Sequence, residues 1–306
     1  MNRVLGISFG VERIYCSLIN FESGRENGKY FLEEATSFVP AAVTGTDAPG
    51  SHIQRIVRSL RAVLDESGKP CKHVAVSFPS TWMLVHTFPA PSASNENQLQ
   101  ERVAWELRQH FPGSDVESFA AMIYPLMNVK KLGTTDYLCV SIEKKLLQHV
   151  RDMFQTLDVE LVGAEISPIA AHETLEINYP ELRTEPAAII EYADDTVVFT
   201  AVQGDEIIEH EELAANGTLN PWREALRRAE MRANKRIPHL FLHGESLTKP
   251  VMEKLQQNFQ GSVHRFNAFR TFAPQGLTPR ARDYCKRTAH LFIASTGVAL
   301  RAIKTN

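Results

Sequence analysis

Cysteine is scarce and scattered in this chain of 306 residues: Cys16, Cys71, Cys139 and Cys285 are the only four, and no C-x-x-C pair occurs. That spacing excludes a disulfide-stapled framework and suits reduced thiols in a cytosolic compartment. Long apolar runs are missing as well. None approaches the ~18 residues that a membrane-spanning helix needs. Met1-Asn2-Arg3-Val4-Leu5-Gly6 runs straight into a strand-like segment, without the apolar core of a signal peptide. The expected location is cytoplasmic, with no direct membrane insertion. A basic excess is also absent: the formal net charge is −3 and Lys and Arg form no run, which argues against nucleic acid as a partner. No segment is of low complexity.

What is present is an ordinary globular composition, 43% apolar and 23% charged, over a length that suits about two domains. One pattern occurs twice. Val4-Leu5-Gly6-Ile7-Ser8-Phe9-Gly10 leads through Val11-Glu12-Arg13 into Ile14-Tyr15-Cys16-Ser17-Leu18-Ile19, and Ala188-Ile189-Ile190-Glu191-Tyr192-Ala193 leads through Asp194-Asp195 into Thr196-Val197-Val198-Phe199-Thr200-Ala201-Val202. Each reads as a hairpin of two β-rich strands. A hairpin at the head of each half suggests two related lobes facing each other across a cleft.

Between and after the hairpins, strand and helix signals alternate, which is the α/β pattern. Apolar residues at 53, 56, 57, 60, 63 and 64 predict a helix ended by Gly68 and Pro70. Val74 to Pro79 reads as a buried strand, Thr81 to Phe88 as β-like, and Ser94 as the start of a helix running to Phe111-Pro112. Strands are expected at 137–140, 161–166, 206–210, 239–243 and, last, 263–266. Helices are expected at 144–157, 222–236, 249–259 and about 281–303, and Ser167-Pro168 reads as an N-cap followed by a first-turn proline.

No catalytic residue and no metal site follows from these residues. His239 and His243 lie four apart, but in a strand that separates them by about 13 Å, too far to share an ion. Ser77, Ser80 and Cys71 come with no His-Asp arrangement that the sequence places beside them.

The middle of the chain carries a resemblance. Val74-Ala75-Val76-Ser77-Phe78-Pro79, then Phe88-Pro89-Ala90, then Trp105-Glu106-Leu107-Arg108-Gln109-His110-Phe111-Pro112, then Tyr137 to Leu157 and Ile166-Ser167-Pro168-Ile169-Ala170-Ala171, follow in the order of the PilM family of type IV pilus assembly proteins. That family is related to FtsA and GspL. The resemblance covers nearly the whole chain. It implies an actin-like (ribonuclease H-like) two-lobed α/β fold. The first lobe would comprise 1–82, 159–185 and 281–306, an α+β subdomain would be inserted at 83–158, and the second lobe would occupy 186–280. That second lobe is expected to be reduced, because the segment from Gly217 to His239 has room for one helix where the family carries a subdomain over the adenine.

The resemblance also implies a nucleotide site at Ser8, Gly10, Glu165, Glu191 and Gly244, and the chain departs from the family there. Ser8 stands in place of the usual Asp of the first phosphate turn. Glu191-Tyr192-Ala193 replaces Asp-x-Gly, a bulky Tyr and an Ala removing the bare backbone that phosphate oxygens would approach, with Asp194-Asp195 beyond it to repel phosphate, and Leu242-His243-Gly244-Glu245-Ser246 keeps a single glycine in the adenosine turn. The expectation is a vestigial site without cofactor or catalysis, the same residues otherwise being turn residues of an inherited fold. The alternative is an active Mg-ATP hydrolase with Ser8, Glu165 and Glu191 near the metal and phosphates.

In the family, a groove beside the inserted subdomain captures the short cytoplasmic tail of a single-span inner-membrane partner. The resemblance implies a cytoplasmic scaffold held at the inner membrane through such a partner, with oligomer formation left open. Phe78, Trp82, Leu84, Phe88, Trp105, Phe111 and Pro112 are the candidates for the groove, and each taken alone also suits plain core. A GspL-like secretion subunit domain is the third reading.

Overall fold

The structure, a computed structural model, describes residues 2–10, 13–24, 28–39, 59–62, 71–127, 133–215 and 222–305. The hairpin repeat of the sequence is a repeat of whole sheets. In the first sheet, β1 (Arg3–Phe9), β2 (Ile14–Glu22), β3 (Lys29–Phe38), β4 (His73–Phe78) and β8 (Glu160–Ile166) run in the order β3-β2-β1-β4-β8. In the second, β9 (Ala187–Ala193), β10 (Thr196–Gln203), β11 (Glu206–Ala214), β12 (His239–His243) and β13 (Ser262–Arg265) run in the order β11-β10-β9-β12-β13. These two orders are the same. In both, the first strand pairs antiparallel with its hairpin partner and parallel with the strand on its other side. A two-residue strand, β14 (Ala273–Pro274), adds to the outer edge of the first sheet beside β3.

The central strands are mostly apolar because both of their faces are covered. On one side, the Ser167–Asn178 and Ile293–Thr305 helices lie between the lobes, and one continuous core joins Val4, Tyr15 and Ile19 of the first sheet to Ala187, Ile189 and Phe241 of the second. The two helices touch almost backbone to backbone. A methyl group on Gly297 would overlap the carbonyl oxygen of Ala170, so this position accepts only glycine. The Thr174 hydroxyl donates across this seam to the Ile293 carbonyl at 2.8 Å, and the Ser17 and Ser295 hydroxyls, 2.9 Å apart, tie the last helix to β2.

A third sheet, of β5 (Leu84–Pro91), β7 (Thr134–Glu143) and β6 (Phe119–Pro125), has the order β5-β7-β6 and carries the Glu96–His110 helix on one face. Pro89 and Pro91 fit because β5 is an edge strand and their missing N–H groups leave no internal bond unmade. The far end of β6 reaches the second lobe, where Leu126 bridges Ile207 and the Met127 amide donates to the Ile207 carbonyl at 2.7 Å.

Several local expectations are corrected. The helix after β5 is capped by Asn95, not Ser94: Asn95 Oδ1 accepts from the Gln98 amide and Gln98 Oε1 from the Asn95 amide, both at 3.0 Å. Ser167 is not an N-cap but the first helical residue, and its hydroxyl turns to Glu191. The Lys144–Gln155 helix, expected within the inserted subdomain, buries Val150, Met153 and Phe154 on the first-lobe sheet. The single last helix divides into Pro279–Thr288, a tight turn at Ala289–Leu291, and Ile293–Thr305. Strands β3 and β6 had no sequence expectation. Of the expected helix at 53–64, only 59–62 is described, and it is helical.

Candidate functional site

Strand ends of both lobes converge on one small cavity. β1 and the residue after it bring Ser8, Phe9 and Gly10, β4 brings Ser77, and β9 brings Glu191. β12 and the turn after it add His243, Gly244 and Glu245, and Ser167, Tyr15, Leu291 and Ala294 complete the wall. Four of the five positions implied by the resemblance, Ser8, Gly10, Glu191 and Gly244, are therefore neighbours. Their meeting follows from the duplicated topology, which places the two hairpins face to face.

The enclosed volume is about 40 Å³. Small-molecule sites run from ~300 Å³ upward, so this one holds a few water molecules at most. What closes it differs from what the residue types suggested. Strand alternation turns Tyr192 away, into the core of the second lobe, where its hydroxyl accepts from Trp222 Nε1 at 3.1 Å. Asp194 and Asp195 sit exposed at the hairpin tip, outside the cavity wall.

The closure comes from the turn after β12. Gly244 has φ +109°, a conformation that favours glycine, and its backbone presses on that of Tyr192, with the Ser246 amide donating to the Tyr192 carbonyl at 3.1 Å. Glu245 then extends over Gly10, so closely that a methyl group on Gly10 would overlap Glu245 Oε1. The Tyr15 hydroxyl donates to the Glu245 carboxylate, and burial followed by that bond raises the phenol's pKa. The Gly10 amide is already engaged with the Arg13 carbonyl at 2.7 Å, while Val11 and Glu12 lie outside the described residues. A protein carboxylate thus stands over the first turn, where a phosphate would approach.

Glu191 is the other acid. It accepts from the Ser167 hydroxyl at 2.8 Å, and burial raises its pKa against that bond. Among the described residues, neither Lys nor Arg lines the cavity. As it stands the cavity is smaller than a nucleoside triphosphate, and its two acids, Glu191 and Glu245, face the place where phosphates would lie.

Glu165 stands apart from the cavity. It is 3% exposed at the end of β8, where Arg301 Nε reaches Oε2 at 3.1 Å, the Tyr124 hydroxyl reaches both oxygens at 3.0 Å, and the Ile166 amide donates at 3.1 Å. Burial raises its pKa, and Arg301, the amide and Tyr124 oppose the rise. Its oxygens are engaged in joining β6, β8 and the last helix.

The groove candidates divide three ways. Phe78 and Phe88 are core residues of the first lobe and of the inserted subdomain respectively. Leu84 and Phe111 edge the subdomain core, Phe111 stacking on Phe119 at 5.1 Å, and Pro112 is exposed beyond it. Trp82 is 41% exposed in the short turn between β4 and β5, stacked on Phe9 at 5.0 Å, and marks the seam between lobe and subdomain. Trp105 is 46% exposed on the outer face of its helix, under the Arg102 guanidinium at 4.4 Å.

The structure also brings together His86, Glu106 and His110, which the sequence reading left unassigned. The i, i+4 spacing of Glu106 and His110 on a helix was a visible signal; the approach of His86 from β5 was not.

No protein-family model matches the chain, and no curated protein matches it in sequence. Solved structures do match. A chain of the PilM–PilN type IV pilus biogenesis complex is 14% identical, with 98% of each chain covered and a TM-score of 0.73. The cytoplasmic domain of EpsL, an inner-membrane component of the type II secretion system of Vibrio cholerae, is 11% identical over 99% of this chain and 95% of that one, at a TM-score of 0.47. A Bacteroides thetaiotaomicron protein with an actin-like ATPase fold is 14% identical over 86% and 90%, also at 0.47. Full coverage, the duplicated sheets and the inserted three-stranded sheet agree with the order of motifs in the sequence: this chain has the PilM-like, actin-like fold.

Proposed function

We propose that this protein is a non-catalytic scaffold of a type IV pilus or related secretion assembly system, binding the cytoplasmic tail of a single-span membrane partner. The observation that carries the reading is the closed cavity at the place of the nucleotide site, filled by the protein's own Glu245, in a chain whose fold matches one of the PilM–PilN complex along its full length. Among the described residues no helix is long and apolar enough to cross a membrane, so attachment through a partner is the route that this reading requires. Trp82 at the seam, with Phe9 beneath it, supports a tail laid between the first lobe and the inserted subdomain.

Two measurements test this. In a thermal-unfolding scan, millimolar Mg-ATP is expected to leave the midpoint unchanged, whereas a site filled to 100 times its dissociation constant adds ~2.7 kcal/mol and moves it by degrees. An upward shift would revive the ATPase reading. For the scaffold role, fluorescence anisotropy of a labelled peptide from the cytoplasmic tail of a single-span protein encoded beside this chain is expected to show saturable binding that Trp82→Ala weakens. Binding indifferent to Trp82 would reject the seam as the docking site.

A further inference from the structure

The Glu96–His110 helix lies on the third sheet with Val103 and Leu107 buried, and Glu106 and His110 continue that face toward the end of the helix. β5 offers Leu84, Phe88 and Ala90 to the same core, and His86, two residues from Leu84 and Phe88, shares their face. A packed apolar layer is thus interrupted at one end by three polar side chains from two elements. His86 and His110 rings are 5.2 Å apart between centroids, and one donor atom each from His86, Glu106 and His110 lies within 4.8 Å of the others.

His86 is hard to explain as a packing residue. Both of its ring nitrogens are buried without a hydrogen-bond partner, which leaves a donor and an acceptor unpaid for in a half-apolar setting. A satisfied structural histidine would have a carbonyl or hydroxyl at one nitrogen. What all three side chains share is the ability to give a lone pair to a borderline transition-metal ion.

We infer that His86, Glu106 and His110 form a binding site for a divalent transition-metal ion, zinc being the fitting one, which clips the helix to the edge strand β5. Two imidazoles and a carboxylate are a known donor class for zinc, and a shared ion needs donors closer than 4.8 Å, a contraction that rotamer shifts of the exposed His110 supply. Three protein ligands leave a fourth position for water. Arg102 now holds Glu106 at 2.6 Å, and one carboxylate oxygen can stay with it while the other turns to the metal. The site lies outside the nucleotide cavity and does not depend on the scaffold reading.

The test is zinc binding to the full chain after chelator treatment, by equilibrium dialysis with metal analysis, together with the visible spectrum on adding Co²⁺. One equivalent of zinc and a four-coordinate cobalt spectrum are expected. His110→Gln and His86→Phe should each weaken binding by more than ~100-fold, beyond what loss of an outer-shell partner costs. His86→Phe replaces an unsatisfied ring by an apolar one of similar shape and is expected to fold as well as the parent in chelator; His110→Gln, at an exposed position, covers the case in which it does not. The competing histidine pair, His239 Nδ1 at 3.3 Å from His264 Nε2, serves as control, and the double change His239→Gln with His264→Gln should leave binding intact. No zinc uptake by the parent chain, uptake indifferent to His86 and His110, or uptake lost with the control pair would each overturn the assignment.

Discussion

Replacing Arg301 by Met should destabilise the protein in a way that depends on pH, and the dependence separates charge from packing. Glu165 is 3% exposed and Arg301 39% exposed, with Nε and Oε2 3.1 Å apart. Breaking a buried pair from one side costs ~3–5 kcal/mol, and partial access of water to the guanidinium end brings the expected loss to about 2 kcal/mol at about pH 8. The Met side chain keeps the stem's apolar packing. Burial holds the Glu165 pKa above its ordinary 4.5 even with Arg301 present. The folded state therefore keeps the proton to higher pH than the unfolded chain. Stability gained from that proton is fully present below the unfolded value and is lost as pH rises through the folded one. Without Arg301 the folded pKa rises further, so the penalty is largest above it and shrinks as the pH falls toward about 5 and the carboxyl takes up its proton. Urea midpoints of parent and variant at both pH values measure this, and adding Glu165→Gln to the variant should remove most of the loss at the higher pH. An equal loss at both values would refute the electrostatic account and leave only packing.

Gly297→Ala should be among the most damaging substitutions, costing at least ~3 kcal/mol or abolishing soluble expression, because the new methyl meets the Ala170 backbone and not a movable side chain; near-parental stability in denaturant would refute the close approach of the two helices. Burial holds the pKa of His210 at about 4 and those of His243 and His290 at about 3. Their neutral forms contribute stability that is complete above the unfolded histidine pKa of ~6.5 and is lost, at on the order of 1 kcal/mol per histidine per pH unit, as the pH falls below it. Denaturation midpoints that stay flat from about pH 7 to 5.5 would contradict this. Trp105→Ala should cost no more than about 1 kcal/mol, since the ring is half exposed and its partner is Arg102, while Phe88→Ala in the subdomain core should cost ~3–5 kcal/mol. Comparable losses for the two would place Trp105 in a core after all.

The sequence by itself determined the α/β class, the duplicated hairpins and the order of the inserted block, because strand runs such as Val4 to Phe9 and Ala188 to Ala193 are mostly apolar where both faces are packed. It also named Ser8, Gly10, Glu191 and Gly244, which the identical strand orders bring to one cavity. β3 and β6 escaped notice because both are only partly covered, and Glu33-Glu34 interrupts the apolar alternation of β3. Tyr192 and Asp194-Asp195 looked like the obstruction from residue type alone; the direction of a side chain from a strand assigns Tyr192 to the core and leaves Glu245 as the plug. Glu165 and Arg301 are far apart in the chain, His86 and His110 lie on a strand and on the helix after it, and both meetings are a matter of how helices dock on sheets. Local pattern specifies which elements form. Which charges face one another, and whether a cleft stays open, depends on packing between elements distant in sequence, and only the tertiary structure decides it.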